Sequence, residues 1–140
     1  MRTIVAVRGV ANLGKSASIK KTYQLLKSAY PNAIFDEIVV STDITIIIAI
    51  NGVKIGIESQ GDPNRRLFSS RNRFVQAGCK VIVCATRSRG KTVEAVNDLA
   101  NQYQITWFDK QNEPNAHAQD AANDAMAKKI FKAVQSAINA

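Results

Sequence analysis

Eight residues near the start of the chain, Gly9-Val10-Ala11-Asn12-Leu13-Gly14-Lys15-Ser16, follow the pattern Gly-x-x-x-x-Gly-Lys-Ser. These residue types at this spacing suit one task, the holding of a phosphate chain. Gly9 and Gly14 let the backbone turn so that successive amide N–H groups converge on phosphate oxygens. A helix opening at Ser16 adds unpaired N–H groups and the positive end of its dipole. Lys15 supplies a compact positive charge for the β- and γ-phosphates, and the Ser16 hydroxyl can ligate Mg²⁺. From average composition, such a match arises by chance in roughly one of two hundred chains this long. Here it also falls where a strand should end and a helix begin.

A second stretch, Ala85-Thr86-Arg87-Ser88-Arg89-Gly90-Lys91-Thr92, fits the same pattern with alanine for the first glycine. Alanine is less free to take positive φ, so this loop is the poorer cradle and one nucleotide site at residues 9–16 is expected. Arg87 and Arg89 then become candidates to reach across the strand ends toward a transferring phosphate, with Arg65 beside them. A solvated basic loop is the competing account of the same arginines.

The chain has 140 residues and a formal charge of +8. The excess is uneven. Residues 61–92 hold eight basic side chains against Asp62 alone, a balance of +7, while residues 93–140 stand at −2. A polyanionic partner, a solvated face, or both must account for the middle segment. Apolar content of 46% with 21% charged residues excludes global disorder. The longest apolar stretch, Ile44–Ile50, is too short to span a bilayer, and Ile4–Val7 is too short for a secretion signal. Cys79 and Cys84 form no Cys-x-x-Cys motif, so a reduced cytoplasm is the expected setting. Parity along one strand places the two thiols on opposite faces. With them and His117 alone, a conventional zinc site is excluded.

The elements that must position these residues follow from hydrophobic period. Thr3–Val7 reads as a buried strand; Ile19, Tyr23, Leu26 and Tyr30 form a helical stripe that Pro31 stops. Ile38–Val40 is a short strand or an extended connection. Ile44–Ile50 and Val53–Glu58 flank Asn51-Gly52, the residue pair of a type I′ turn, which predicts an antiparallel hairpin. Asp62-Pro63 opens a helix to about Ala77. Cys79–Ala85 is a strand, Thr92–Tyr103 a helix and Ile105–Phe108 a strand. A long amphipathic helix follows, with Ala127, Ile130, Phe131, Val134 and Ile138 inward. The alternation predicts one α/β domain over residues 1–140, a three-layer sandwich with a mostly parallel sheet and one antiparallel hairpin. Trp107 reads as core and His117 as surface.

Gly9–Ser16 resembles the Walker A loop of the P-loop NTPase superfamily. The resemblance implies an acidic residue at the end of a neighbouring apolar strand that supports Mg²⁺. Within Ile57-Glu58-Ser59-Gln60-Gly61-Asp62 that residue is Glu58, since helix capping before Pro63 accounts for Asp62. Gln60 would orient an attacking water and Gly61 would offer its N–H to the γ-phosphate. The order of loop, helix, hairpin and acid-x-x-Gly turn is similar to the front half of Ras-like GTPases, with Ser41 or Thr42 at the switch threonine. Glutamate stands where that family has aspartate. Asp109-Lys110-Gln111-Asn112 has the outer residues of the guanine-reading motif exchanged. ATP, the commoner substrate, is therefore expected, with GTP the alternative. The expected activity is Mg²⁺-dependent binding and hydrolysis of a nucleoside triphosphate. A nucleic-acid-binding basic module using residues 61–92 and a small-acceptor kinase are the alternatives, and no membrane partner is implied.

Overall fold

The structure, a computed structural model, describes residues 2–10, 14–61, 66–111 and 113–140. In chain order the elements are β1 (Thr3–Arg8), α1 (Lys15–Ala29), β2 (Ile34–Val40), β3 (Ile44–Ile50) and β4 (Val53–Glu58). Then come α2 (Arg66–Gln76), β5 (Val81–Thr86), α3 (Lys91–Asn97), β6 (Gln104–Asp109) and α4 (Ala116–Ile138). The protein is α/β, with one mixed sheet in the order β2-β3-β4-β5-β1-β6. The β4–β5, β5–β1 and β1–β6 pairs are parallel; β2–β3 and β3–β4 are antiparallel. Asn51 and Gly52 both have positive φ, 50° and 80°, as the hairpin turn requires.

The two-residue period of the strands sorts the apolar side chains into two cores. Val5, Val7, Val81 and Val83 pack with Ile19, Tyr23 and Leu26 of α1 and Ile130 and Val134 of α4. Ile4, Ala6, Ile82 and Cys84 point the other way, onto Leu67 and Phe74 of α2 and Ala95 and Val96 of α3. Helices therefore cover both faces of the sheet. Besides the Lys21–Asp124 ion pair, three hydrogen bonds join α1 and its C-cap to α4: Ser18 to Asn123, Thr22 Oγ1 to Ala127 O, and Gln135 Nε2 to the Tyr30 hydroxyl. Each of these bonds spans the same sequence separation, 105 residues, so the two helices run in the same direction.

Three elements differ from expectation. β2 runs seven residues rather than Ile38–Val40 alone. It is an edge strand exposed along much of its length, so Asp36 and Glu37 interrupt its apolar pattern at little cost. Glu37 accepts the Tyr23 hydroxyl at 2.9 Å. α3 stops at Asn97, six residues short of Tyr103. Leu99 and Tyr103 still reach the core, from turns, with the Tyr103 hydroxyl on Cys79 O at 2.7 Å. Cys79 precedes β5, so strand parity does not govern it, and both cysteines are buried in the α2–α3 core. The expected helix start at Asp62-Pro63 lies outside the described residues. Among the described residues no helix is long and apolar enough to cross a membrane.

Candidate functional site

The parallel strands deliver their carboxyl ends to one edge of the sheet, and the first corner, between β1 and α1, is built there. Gly14 has φ +84° and ψ 17°, a left-handed conformation that glycine adopts without strain. A Cβ at this position would overlap the Asn123 carboxamide of α4, so the absence of a side chain is required a second time. Ser18 Oγ lies 2.9 Å from Gly14 O and 3.4 Å from Asn123 Oδ1. Lys15 is only 6% exposed. Its Nζ donates to Gly9 O at 2.5 Å and to Thr86 O at 2.6 Å, and the Gly9 N–H also donates to Thr86 O, at 3.2 Å. Val10 is exposed, while Ala11, Asn12 and Leu13 lie outside the described residues.

The acid against this corner is Asp43. Its Oδ1 accepts the Ser16 hydroxyl at 2.6 Å and the Ser59 hydroxyl at 2.7 Å. The β2–β3 turn that presents it is gripped from α1. There Lys20, one helical turn past Ser16, donates to Thr42 O at 2.7 Å. Ser59 fixes the other side: its N–H bonds Ile44 O, and its Oγ accepts the Ile44 N–H. Because β3 is antiparallel to β4, the residue before β3 arrives at the edge where β4 ends. An acidic residue immediately before the first hairpin strand is the sequence signal for Asp43, and a search confined to strand ends misses it.

Glu58 occupies a different setting. It is fully buried and opposite Thr45 in the β3–β4 ladder. Oε1 accepts the Thr45 and Ser70 hydroxyls, both at 2.6 Å, and Arg66 Nε at 3.1 Å; Oε2 accepts the Gln60 N–H at 3.0 Å. Both oxygens are committed to protein donors, and β5 separates β4 from β1. Glu58 ties α2 and the turn after β4 together. Gln60 continues that turn, and its buried Oε1 has no donor among the described residues. Gly61 lies so close to β5 that a Cβ would stand 2.8 Å from Ala85 Cβ.

The second corner, between β5 and α3, adjoins the first because β5 and β1 are paired, with Thr86 beside Arg8. The Arg87 N–H donates to the buried Thr92 hydroxyl at 2.8 Å. Gly90 has φ +95°. Arg87 is half-buried; Ser88, Arg89, Gly90 and Lys91 are exposed. The structure therefore divides the two arginines that the sequence pairs. Arg65 is not among the described residues. Arg71 is structural, donating to Ala95 O at 2.9 Å and so clamping α2 to α3.

At the end of β6, Arg8 Nε bonds Asp109 at 2.8 Å and holds that carboxylate below its usual range. The same guanidinium covers Trp107 at 4.7 Å, a cation–π contact. Trp107 is half-buried against the α2–α3 core. Lys110 is buried, and desolvation lowers the pKa of its amine. His117 is exposed in the first turn of α4, which is capped by the Asn115 side chain.

No group of three or more His, Cys, Asp or Glu side chains that could hold a metal occurs among the described residues. Mg²⁺ does not need one, since it keeps several waters and takes one or two carboxylates together with phosphate oxygens. The hard oxygens of Ser16 and Asp43, 2.6 Å apart, fit that mode. At Glu58, Oε1 already takes three donors and Oε2 one. No protein-family model matches the chain, and neither does any curated protein or solved structure.

Proposed function

We propose that this chain is a P-loop nucleoside triphosphatase with a three-layer sandwich fold, dependent on Mg²⁺ and acting on ATP (or GTP). One observation supports the reading above the others: Lys15 and Ser16 of the Gly-x-x-x-x-Gly-Lys-Ser corner are turned onto, respectively, main-chain carbonyls and a carboxylate. A buried amine resting on carbonyl oxygens can move to phosphate oxygens with little change in its surroundings. A serine hydroxyl beside a carboxylate is a ready half-shell for a divalent cation.

The roles follow from position. Gly9, Val10, Gly14, Lys15 and Ser16, with Ala11, Asn12 and Leu13 between them, cradle the phosphates. Ser16 and Asp43 would hold Mg²⁺, which when bound would supply positive charge against the phosphates. Gln60 offers a buried carbonyl oxygen to an attacking water. Glu58 acts as a positioning residue, fixing the Gln60 main chain. Arg87, half-buried at the adjoining corner, would stabilise charge on the transferred phosphoryl group, with the exposed Arg89 beside it in the loop. ATP leads as the commoner substrate.

The test is a thermal-shift titration with Mg·ATP and Mg·GTP, with and without EDTA. Nucleotide at a hundred times its dissociation constant should add about 2.7 kcal/mol of stability to the wild type. Chelation should remove most of that gain, and Lys15→Ala should abolish it. If neither nucleotide stabilises the wild type, the phosphate-loop reading is wrong.

A further inference from the structure

With Arg87 turned to the nucleotide, Arg89 and Lys91 of the second corner are left over. Arg89 and Lys91 are exposed, and neither side chain makes a hydrogen bond or ion pair with a described residue. Glu94 is the one acidic residue in the first turn of α3. The loop is nonetheless held at both ends. Thr86 O takes donors from Gly9 and Lys15, and the Arg87 N–H is fastened to Thr92 Oγ. Long cations on an anchored loop lose less conformational freedom on meeting a partner than cations on a loose one.

The chemistry of the lip selects among polyanions. Ser88, Arg89, Gly90 and Lys91 present charge, a hydroxyl and a bare backbone, with no apolar residue in the run. An acidic protein would want an apolar core to bury at such an interface. A single strand would want aromatic platforms. Among the described residues the exposed large apolar side chains, Val10, Ile34 and Val40, include no aromatic, and the one tryptophan is covered by Arg8. Phosphates repeated along a duplex need neither.

We infer that the β5–α3 lip docks the sugar-phosphate backbone of a nucleic-acid duplex, with Arg89 and Lys91 each neutralising a phosphate. A link to the first corner is built in. Lys15 donates to the carbonyl of Thr86, the residue immediately before Arg87. A nucleotide that draws the Lys15 amine away changes the anchor of the lip, so duplex affinity responds to nucleotide. The coupling rests on the nucleotide reading; the docking does not.

The experiment is fluorescence anisotropy of a labelled DNA duplex of about 20 base pairs, titrated from about 50 to 200 mM salt without nucleotide. Wild type should bind, with log K falling linearly against log salt. Arg89→Gln/Lys91→Gln should keep the wild-type melting temperature and make the slope shallower by about two, one per lost phosphate contact. Lys15→Ala should still bind the duplex, which separates the docking from the nucleotide reading. Absence of duplex binding at low salt overturns the proposal, and so does an unchanged slope in the double variant. Equal affinity for a poly-glutamate peptide overturns it in favour of an acidic protein partner. Adding Mg·ATP should shift duplex affinity in wild type and leave Lys15→Ala unmoved; an identical response in the two overturns the coupling.

Discussion

The two strand-to-helix corners share a pattern and diverge in what they do with it. Both end in Gly-Lys followed by a hydroxyl residue, both follow parallel strands that are direct neighbours, and both place a positive-φ glycine before the helix. At the first, the lysine is folded into the protein and the serine hydroxyl points to a carboxylate. At the second, the lysine is in solvent and the threonine hydroxyl is spent on its own loop. The helices differ too, fifteen residues against seven. A motif thus specifies a turn; what stands opposite determines whether the turn becomes a site. Asp43 and Asn123 stand opposite the first corner, and nothing equivalent stands opposite the second among the described residues.

The comparison can be broken most directly at the lysines. Lys15→Ala should cost a hundredfold or more in nucleotide affinity, removing the gain of about 2.7 kcal/mol at saturating Mg·ATP, whereas Lys91→Ala should retain it. Equal losses in the two variants would erase the distinction between the corners.

The glycines come next. Gly14→Ala should destabilise the fold by about 2–3 kcal/mol, from left-handed strain plus the overlap with Asn123. Gly90→Ala should cost less, about 1–2 kcal/mol, since its surroundings are open and only the backbone objects. Adding Asn123→Ala to Gly14→Ala should recover the steric part, and urea melts of the three proteins would show it.

Smaller still are the hydroxyls. Thr92→Val leaves the Arg87 N–H without its acceptor. The loss should cost about 1–2 kcal/mol of stability without touching nucleotide binding. Ser16→Ala should barely move stability, because Asp43 keeps Ser59, yet it should blunt the Mg²⁺ dependence of the nucleotide-induced shift.

The smallest effect at neutral pH concerns the strand feeding the second corner. Burial pushes the Cys84 thiol up to about 12 and the Cys79 thiol up to about 11. The folded state keeps protons that the unfolded state, near 9, gives up. Stability is therefore whole below about pH 9 and declines as pH rises toward 12. Neither thiol should react with Ellman's reagent at pH 8 in the native protein, and rapid labelling there would contradict their burial.

Much of this is legible in the residues, and the exceptions have a common cause. The first corner, the Asn51-Gly52 turn and the alternation of strands with helices rest on local chemistry, which a sequence displays. Asp43 escapes notice because it belongs to the site only through antiparallel pairing, which carries the start of β3 to the end of β4. The tying role of Glu58 does not show in the sequence because its four donors come from two other elements, β3 and α2, and the turn beyond it. β2 reads short because an edge strand, wet on much of its surface, tolerates Asp36 and Glu37 in the middle. The helical period beyond Asn97 is real as burial, but turns supply it.

The parallel pairing of α1 with α4 has a bearing on how the molecule is made. Ser18 and Asn123 meet across 105 residues, and Asn123 is the group that packs against Gly14. On the ribosome, β1, the glycine loop and α1 emerge early, but the wall behind Gly14 arrives only with α4. The first corner is written ahead of most of the sheet and finished by a helix synthesised far later. Its assembly should therefore be a late event in folding, and loop closure over that distance should set its pace.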